Sequence, residues 1–214
     1  LPILANEACW ALGNITYTAI YARIGTSAAA SIQICSTVMN LFMIVTFGLA
    51  NAAVVIIGNE IGANRESEAI SASKKISSLS FKISILLAIV LAFLSKPIVS
   101  FFNVSAEVKM AAQYILYIYA LVMVFKVYNA VMIVGILRGG GDTTYGSILQ
   151  GLTLWLIGIP LAAFAAFIIK LPIYFVVMFA AVEEIIKVFF MMKRFKSFKW
   201  IKNMVNDEQN EVLT

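Results

Sequence analysis

Long apolar runs separated by short polar stretches divide this sequence into six segments, at about 1–22, 28–57, 79–100, 108–136, 145–169 and 172–192. About twenty residues at roughly 1.5 Å each cross a hydrocarbon core about 30 Å thick, so each run is long enough for one transmembrane helix. Within the first run, Glu7, Trp10, Asn14, Tyr17 and Tyr21 step by three and four residues and fall on one stripe of a helix. An acid at the centre of such a helix costs roughly 2.5 kcal/mol or more, so it faces a partner or a water-filled cavity. The stripe therefore reads as a cavity wall.

Composition fixes the class. Hydrophobic residues make up 62% and charged residues 13% of 214, and the mean hydropathy is +0.94. These values predict an all-α polytopic membrane protein embedded in a lipid bilayer. The first run lacks a basic leader and a small-residue cleavage site, so it does not read as a signal peptide. Histidine is absent, which removes the commonest metal ligand and every Ser-His nucleophile. Neither paired Asp residues nor any other intramembrane catalytic set takes its place, and no enzyme or resident cofactor is expected. Cys9 and Cys35 lie in apolar runs without a CxxC pattern and read as buried packing residues. The net charge of +5 is spread over loops and the tail with no nucleic-acid motif. Outside the six runs or at their ends, nine Lys and Arg residues lie on the side shared by the termini and four, Arg23, Lys96, Lys109 and Lys170, on the other, which predicts both termini in the cytoplasm and an inner-membrane location.

The remaining polar residues set further expectations. In the second run Gln33 and Asn40 could line a cavity, but Gly48 and Ala52, four apart, favour close helix packing. The GNEIGANRESEA stretch, 58–69, breaks the chain, and an amphipathic lead-in precedes the third run. Ser105 is placed to cap the fourth helix, with Glu107 in its first turn. That helix carries Lys126 with Asn129 close behind it, and Glu7, Glu183 and Glu184 are the candidate partners of Lys126. In LRGGGDTTYG, Gly139, Gly140 and Gly141 allow a sharp turn and Asp142 can cap the fifth helix. The turn reads as structural first, and as a gate or hinge second. Pro160 kinks the fifth run, Glu183 and Lys187 form a favourable i,i+4 pair, and Phe195, Phe198 and Trp200 are suited to the headgroup level. Residues 1–195 thus make the membrane lobe and 196–214 a cytoplasmic tail.

Four stretches, PILANEACWALG, FGLANAAVVIIGNEIGAN, GILRGGGDT and EEIIKVFFMMKRFKSFKW, fall in order along nearly the whole chain. As a set they resemble the carboxy-terminal lobe of a multidrug and toxic compound extrusion (MATE) transporter. The resemblance implies six helices of a twelve-helix antiporter whose lobes rock against each other, exchanging drugs or other organic cations for sodium or protons. The partner is then an amino-terminal lobe or a second copy of this chain. It also implies a cation- or substrate-binding role for Glu7, with sodium as the one metal expected there, in competition with a cationic substrate. Trp10, Asn14 and Tyr17 on the same stripe, and Lys126 and Asn129 where some members carry an acid, complete the expected site. A flippase for lipid-linked pyrophosphates, with Lys126 central, is the alternative of another class, and a non-transporting fragment is the third.

Overall fold

The computed structural model describes residues 2–202 and folds them into six helical rods. Helix α1 is Pro2–Ile24, α2 is Thr26–Gly62 and α3 is Glu66–Ser100. Helix α4, Ala106–Ala130, continues into a π-helical stretch, Val131–Leu137. The fifth rod is α5, Thr143–Thr153, then a π-helical Leu154–Gly158, α6, Ile159–Ala163, and a second π-helical stretch, Phe164–Ile168. Helix α7 is Ile173–Lys196. Four of the rods, Thr26–Gly62, Glu66–Ser100, Ala106–Leu137 and Thr143–Ile168, are both long and apolar enough to cross a membrane. The first and last, at 23 and 24 residues, have the length but carry more polar side chains.

Local chemistry sets several of the ends. The Ser105 hydroxyl accepts the Val108 amide at 3.4 Å and caps α4 as its sequence predicts. The amphipathic lead-in is continuous with the third span, so α3 reaches 35 residues, and Pro97 lies in its last turn. Pro160 lies in the short α segment between two π-helical stretches of one continuous rod, and its missing N–H falls where the backbone hydrogen bonding is already irregular.

Helix α4 is central, packing on α2, α3 and α7, while α1 packs against α2 and the fifth rod. The interior divides into two apolar cores. One is built around Met39, Leu116, Met123, Val127 and Val177, and the other around Ile57, Met132, Leu137, Met191 and Trp200. Along α4 the first core ends at Val127 and the second begins at Val131; along α7 the first ends at Ala180 and the second begins at Met191. The gap between them holds polar side chains. Outside, large apolar residues such as Leu41, Phe93 and Leu121 are exposed, as a hydrocarbon solvent requires.

The small-residue contact of α2 is displaced from the expected one. A methyl group at Gly48 would touch nothing, and Ala52 is exposed. Instead Ala50 and Ala53 are fully buried, and Gly135 closes onto them: its Cβ would lie 2.9 Å from the Ala53 Cβ and 3.2 Å from the Ala50 carbonyl. Apolar packing without any help from water holds such helix pairs together.

Replacing Gly135 by Val should therefore lower the stability of this chain by about 1–3 kcal/mol through overpacking. Thermal unfolding in detergent reads this, and Gly48→Val should leave the transition in place.

Candidate functional site

The stripe on α1 does not form one site. Glu7 is half exposed, and its Oε1 accepts from Arg138 Nη2 at 3.2 Å at the end of the fourth rod. Trp10 is exposed, and the exposed Asn14 turns its amide back to the Trp10 carbonyl at 2.8 Å. Ten residues beyond Glu7, about 15 Å along the helix, Tyr17 enters the interior and stacks on Tyr21 with ring centroids 5.9 Å apart.

The Tyr17 hydroxyl approaches Gly158 of the fifth rod and Glu183 of α7, at the layer between the two cores. Asn129 of α4 is buried, and its Nδ2 donates to the Glu184 carbonyl at 2.9 Å and to Glu184 Oε2 at 2.7 Å. Lys187 pairs with Glu184 Oε2 at 3.4 Å, both side chains being nearly inaccessible. The expected Glu183–Lys187 pair is thus replaced by an i,i+3 pair, because Glu184 is the carboxylate that Asn129 holds in place. Glu183 is left over. Gly158 of the fifth rod opens the space it occupies, for a methyl there would collide with both the Tyr17 hydroxyl and the Glu183 carboxylate.

Four buried side-chain oxygens in the lobe lack a hydrogen-bond partner among the described residues: Tyr17 Oη, Thr46 Oγ1, Asn129 Oδ1 and Glu183 Oε2. Three of them, on Thr46, Asn129 and Glu183, sit on residues lying between the stretches of chain that build the two cores, and the Tyr17 hydroxyl, on a ring packed against the first core, points at Glu183 across Gly158. Buried polar atoms are almost always paired, so the Tyr17 and Glu183 orphans, which face each other across Gly158, are an invitation to a ligand that donates or is positively charged. Lys126, half-buried, has no ion pair among the described residues. It lies over the Tyr119 ring, 5.9 Å from the centroid, close enough to act electrostatically on Glu183 and Glu184. Of its three candidate partners, Glu7 is excluded by its place beside Arg138.

The glycine turn is built into a second polar assembly. Asp142 stands at the start of α5 but makes no capping bond; its carboxylate, 1% exposed, takes Arg194 Nε at 2.7 Å and Lys202 Nζ at 2.6 Å. Trp200 is fully buried against Gly140, where a side chain would strike the indole, and stacks on Phe195 at 6.0 Å. The expectation that Trp200 rests among headgroups is overturned, since the segment after α7 folds back and bridges Gly141 to Ile201. Gly141 has φ +84°, and Gly139 presses on the α2 backbone at Val54. The part of the tail from 203 to 214, including its acidic end, lies outside the described residues. Cys35 is buried as expected, but Cys9 is only half so, and its sulfur accepts from Trp155 Nε1 at 3.1 Å.

The MatE family model matches residues 2–164. This chain belongs to the MatE family. An uncharacterised transporter of Schizosaccharomyces pombe is 27% identical over 165 residues, covering 77% of this chain and 30% of that protein. Among solved structures, a transporter of the MOP superfamily from Pyrococcus furiosus, described as having a binding pocket of reversed polarity, superposes with a TM-score of 0.87 at 16% identity, over 96% of this chain and 46% of that one. A Vibrio cholerae MATE transporter in its bent form superposes with a TM-score of 0.78 at 15% identity, over 94% and 46%. This MatE chain thus spans about half the length of these solved transporters, and at such identities the likeness is one of fold. MatE proteins are membrane transporters, which agrees with a lobe that carries its polar residues inside apolar rods.

Of the residues expected at the site, Tyr17, Lys126 and Asn129 stand in or beside the polar layer and Glu7, Trp10 and Asn14 do not, while Glu183 and Gly158 stand there without having been expected at the site. The adjacent pair of acids in an apolar run was the available signal. Removing the unpartnered hydroxyl in Tyr17→Phe should leave the melting temperature unchanged. Asn129→Ala, which strips a buried carboxylate of its donor, should cost about 1–3 kcal/mol in the same thermal unfolding assay.

Proposed function

We propose that this chain is one lobe of a cation-coupled antiporter that exports organic cations by alternating access, with the coupling ion received at Glu183. The observation that carries the reading is the unpartnered Glu183 oxygen beside the unpartnered Tyr17 hydroxyl. A carboxylate enclosed at mid-helix is costly as a bare anion, and a proton or a sodium ion relieves that cost. Tyr17 and Asn129 supply neutral oxygens to the same layer, and sodium takes such donors. Glu184 and Lys187 neutralise each other and leave Glu183 free to exchange its cation.

A second face supports export. Glu7, Asn14, Gln33, Asn40 and Asn51 are all exposed on α1 and α2 although they lie in membrane-length helices. Polar residues in such helices face a cavity or a neighbouring subunit rather than lipid, so this face belongs to a cleft shared with a second lobe or a second copy. Glu7 and Trp10 stand on it, where a carboxylate and an indole suit an organic cation. Loading of Glu183 from one side and substrate binding at the cleft from the other then favour opposite openings of the lobes. Flipping of an anionic lipid-linked substrate is the second reading, and the unpaired Lys126 favours it.

In cells producing the complete gene product, Glu183→Gln should abolish sodium- or proton-driven efflux of a fluorescent cation while substrate binding persists. Glu7→Gln should instead weaken substrate binding. Efflux that survives Glu183→Gln but is lost in Lys126→Ala would move the assignment to the anionic substrate.

A further inference from the structure

A crevice of about 390 Å³ lies over α4 between α3 and α7, lined by none of the polar-layer residues although Tyr128 and Val188 on its wall are next in sequence to Asn129 and Lys187. Its walls change character along their length. Towards the end of the lobe that carries the described C-terminal segment stand Lys74, Ser77 and Tyr128, the last two sharing a 3.1 Å hydrogen bond. Deeper, one to two turns further along each helix, the lining is Phe81, Val124 and Val188. Helix direction fixes this order. Helix α3 runs inward from Lys74, whereas α4 and α7 run outward to Tyr128 and Phe195.

Depth places the polar end at a membrane surface. The 35 residues of α3 extend about 50 Å, well beyond a hydrocarbon core of about 30 Å. The excess is the polar first third of the helix, so Lys74 stands at headgroup level and Phe81 among acyl chains. Lys74 is exposed and has no carboxylate within ion-pair distance among the described residues; its ammonium lies over the Phe198 ring, 5.8 Å from the centroid. Lys75, Lys193, Lys196 and Lys199 add positive charge at the same end.

We propose that this crevice binds one anionic phospholipid, with its phosphate at Lys74 and the Ser77 and Tyr128 hydroxyls and one acyl chain along Phe81, Val124 and Val188. The volume falls within the range of small-molecule sites, and the single cation at the mouth selects an anion. A cationic transport substrate is disfavoured there for the same reason. Because Phe195 lines the crevice and stacks on Trp200, the bound lipid also rests on the folded-back segment.

Native mass spectrometry of the complete gene product tests this, with equal amounts of phosphatidylglycerol and phosphatidylcholine offered in turn. Phosphatidylglycerol should be retained about five-fold more than phosphatidylcholine, the effect of one lysine at a membrane surface. Lys74→Ala should remove that preference, whereas Lys75→Ala, one residue away and outside the lining, should keep it. Val124→Trp, which fills the apolar end, should reduce retention of both lipids. Equal retention of the two lipids by the unaltered protein, equal loss of preference in Lys74→Ala and Lys75→Ala, or no effect of Val124→Trp overturns the proposal. The two lysines are exposed, so their comparison stands even if Val124→Trp does not fold.

Discussion

An ammonium group cannot stay charged in the middle of an apolar bundle unless a carboxylate is brought to it, and Lys187 imposes that demand on the lobe. Glu184 meets it from one turn back on the same helix, but a carboxylate so placed needs a further donor, and Asn129 crosses from α4 to provide one. The pairing fixes the rotation of α7 against α4 at one level. The two apolar cores then lie above and below that level and not through it. Because Glu184 is committed to Lys187, its neighbour Glu183 is turned into the space that Gly158 leaves beside Tyr17. The oxygens without partners are thus a by-product of satisfying one charge.

Transport chemistry differs from catalysis in what it asks of such a layer. A catalytic carboxylate must be poised against a reacting atom, whereas an exchanging one must be acceptable in two states, loaded and empty. Charge compensation nearby, without direct contact, is suited to that. Lys126 acts on both carboxylates from its place over Tyr119, and no bond ties it to either. The layer holds two acids and two lysines, so that opposite formal charges balance within it.

Much of the fold was legible because membrane helices announce themselves by run length, and each run falls within or along one rod, although the third rod begins thirteen residues before its run. Polar residues inside the runs were legible as a class for the same reason, since they are rare there. Their partners were not. Whether Lys187 takes Glu183 or Glu184 depends on which acid Asn129 can reach, and helical spacing allows both. Gly48 and Ala52 have the spacing of a packing motif, yet the face that packs is the adjacent one carrying Ala50 and Ala53, because a period of four does not say which side the neighbour occupies. Trp200 was misplaced for a different reason. An aromatic residue after a basic helix end suits headgroups, and nothing local reveals that a glycine sixty residues earlier has left a slot for its ring.

The segment after α7 also has a mechanical meaning. Arg194 and Lys202 grip one carboxylate in the turn before α5, and the indole of Trp200 is wedged against that turn, so the end of α7 and the start of the fifth rod are riveted together. Eleven residues back along the same stiff helix sits Glu183. The joint therefore ties the place of the carboxylate beside Tyr17 to that of the first turn of the fifth rod.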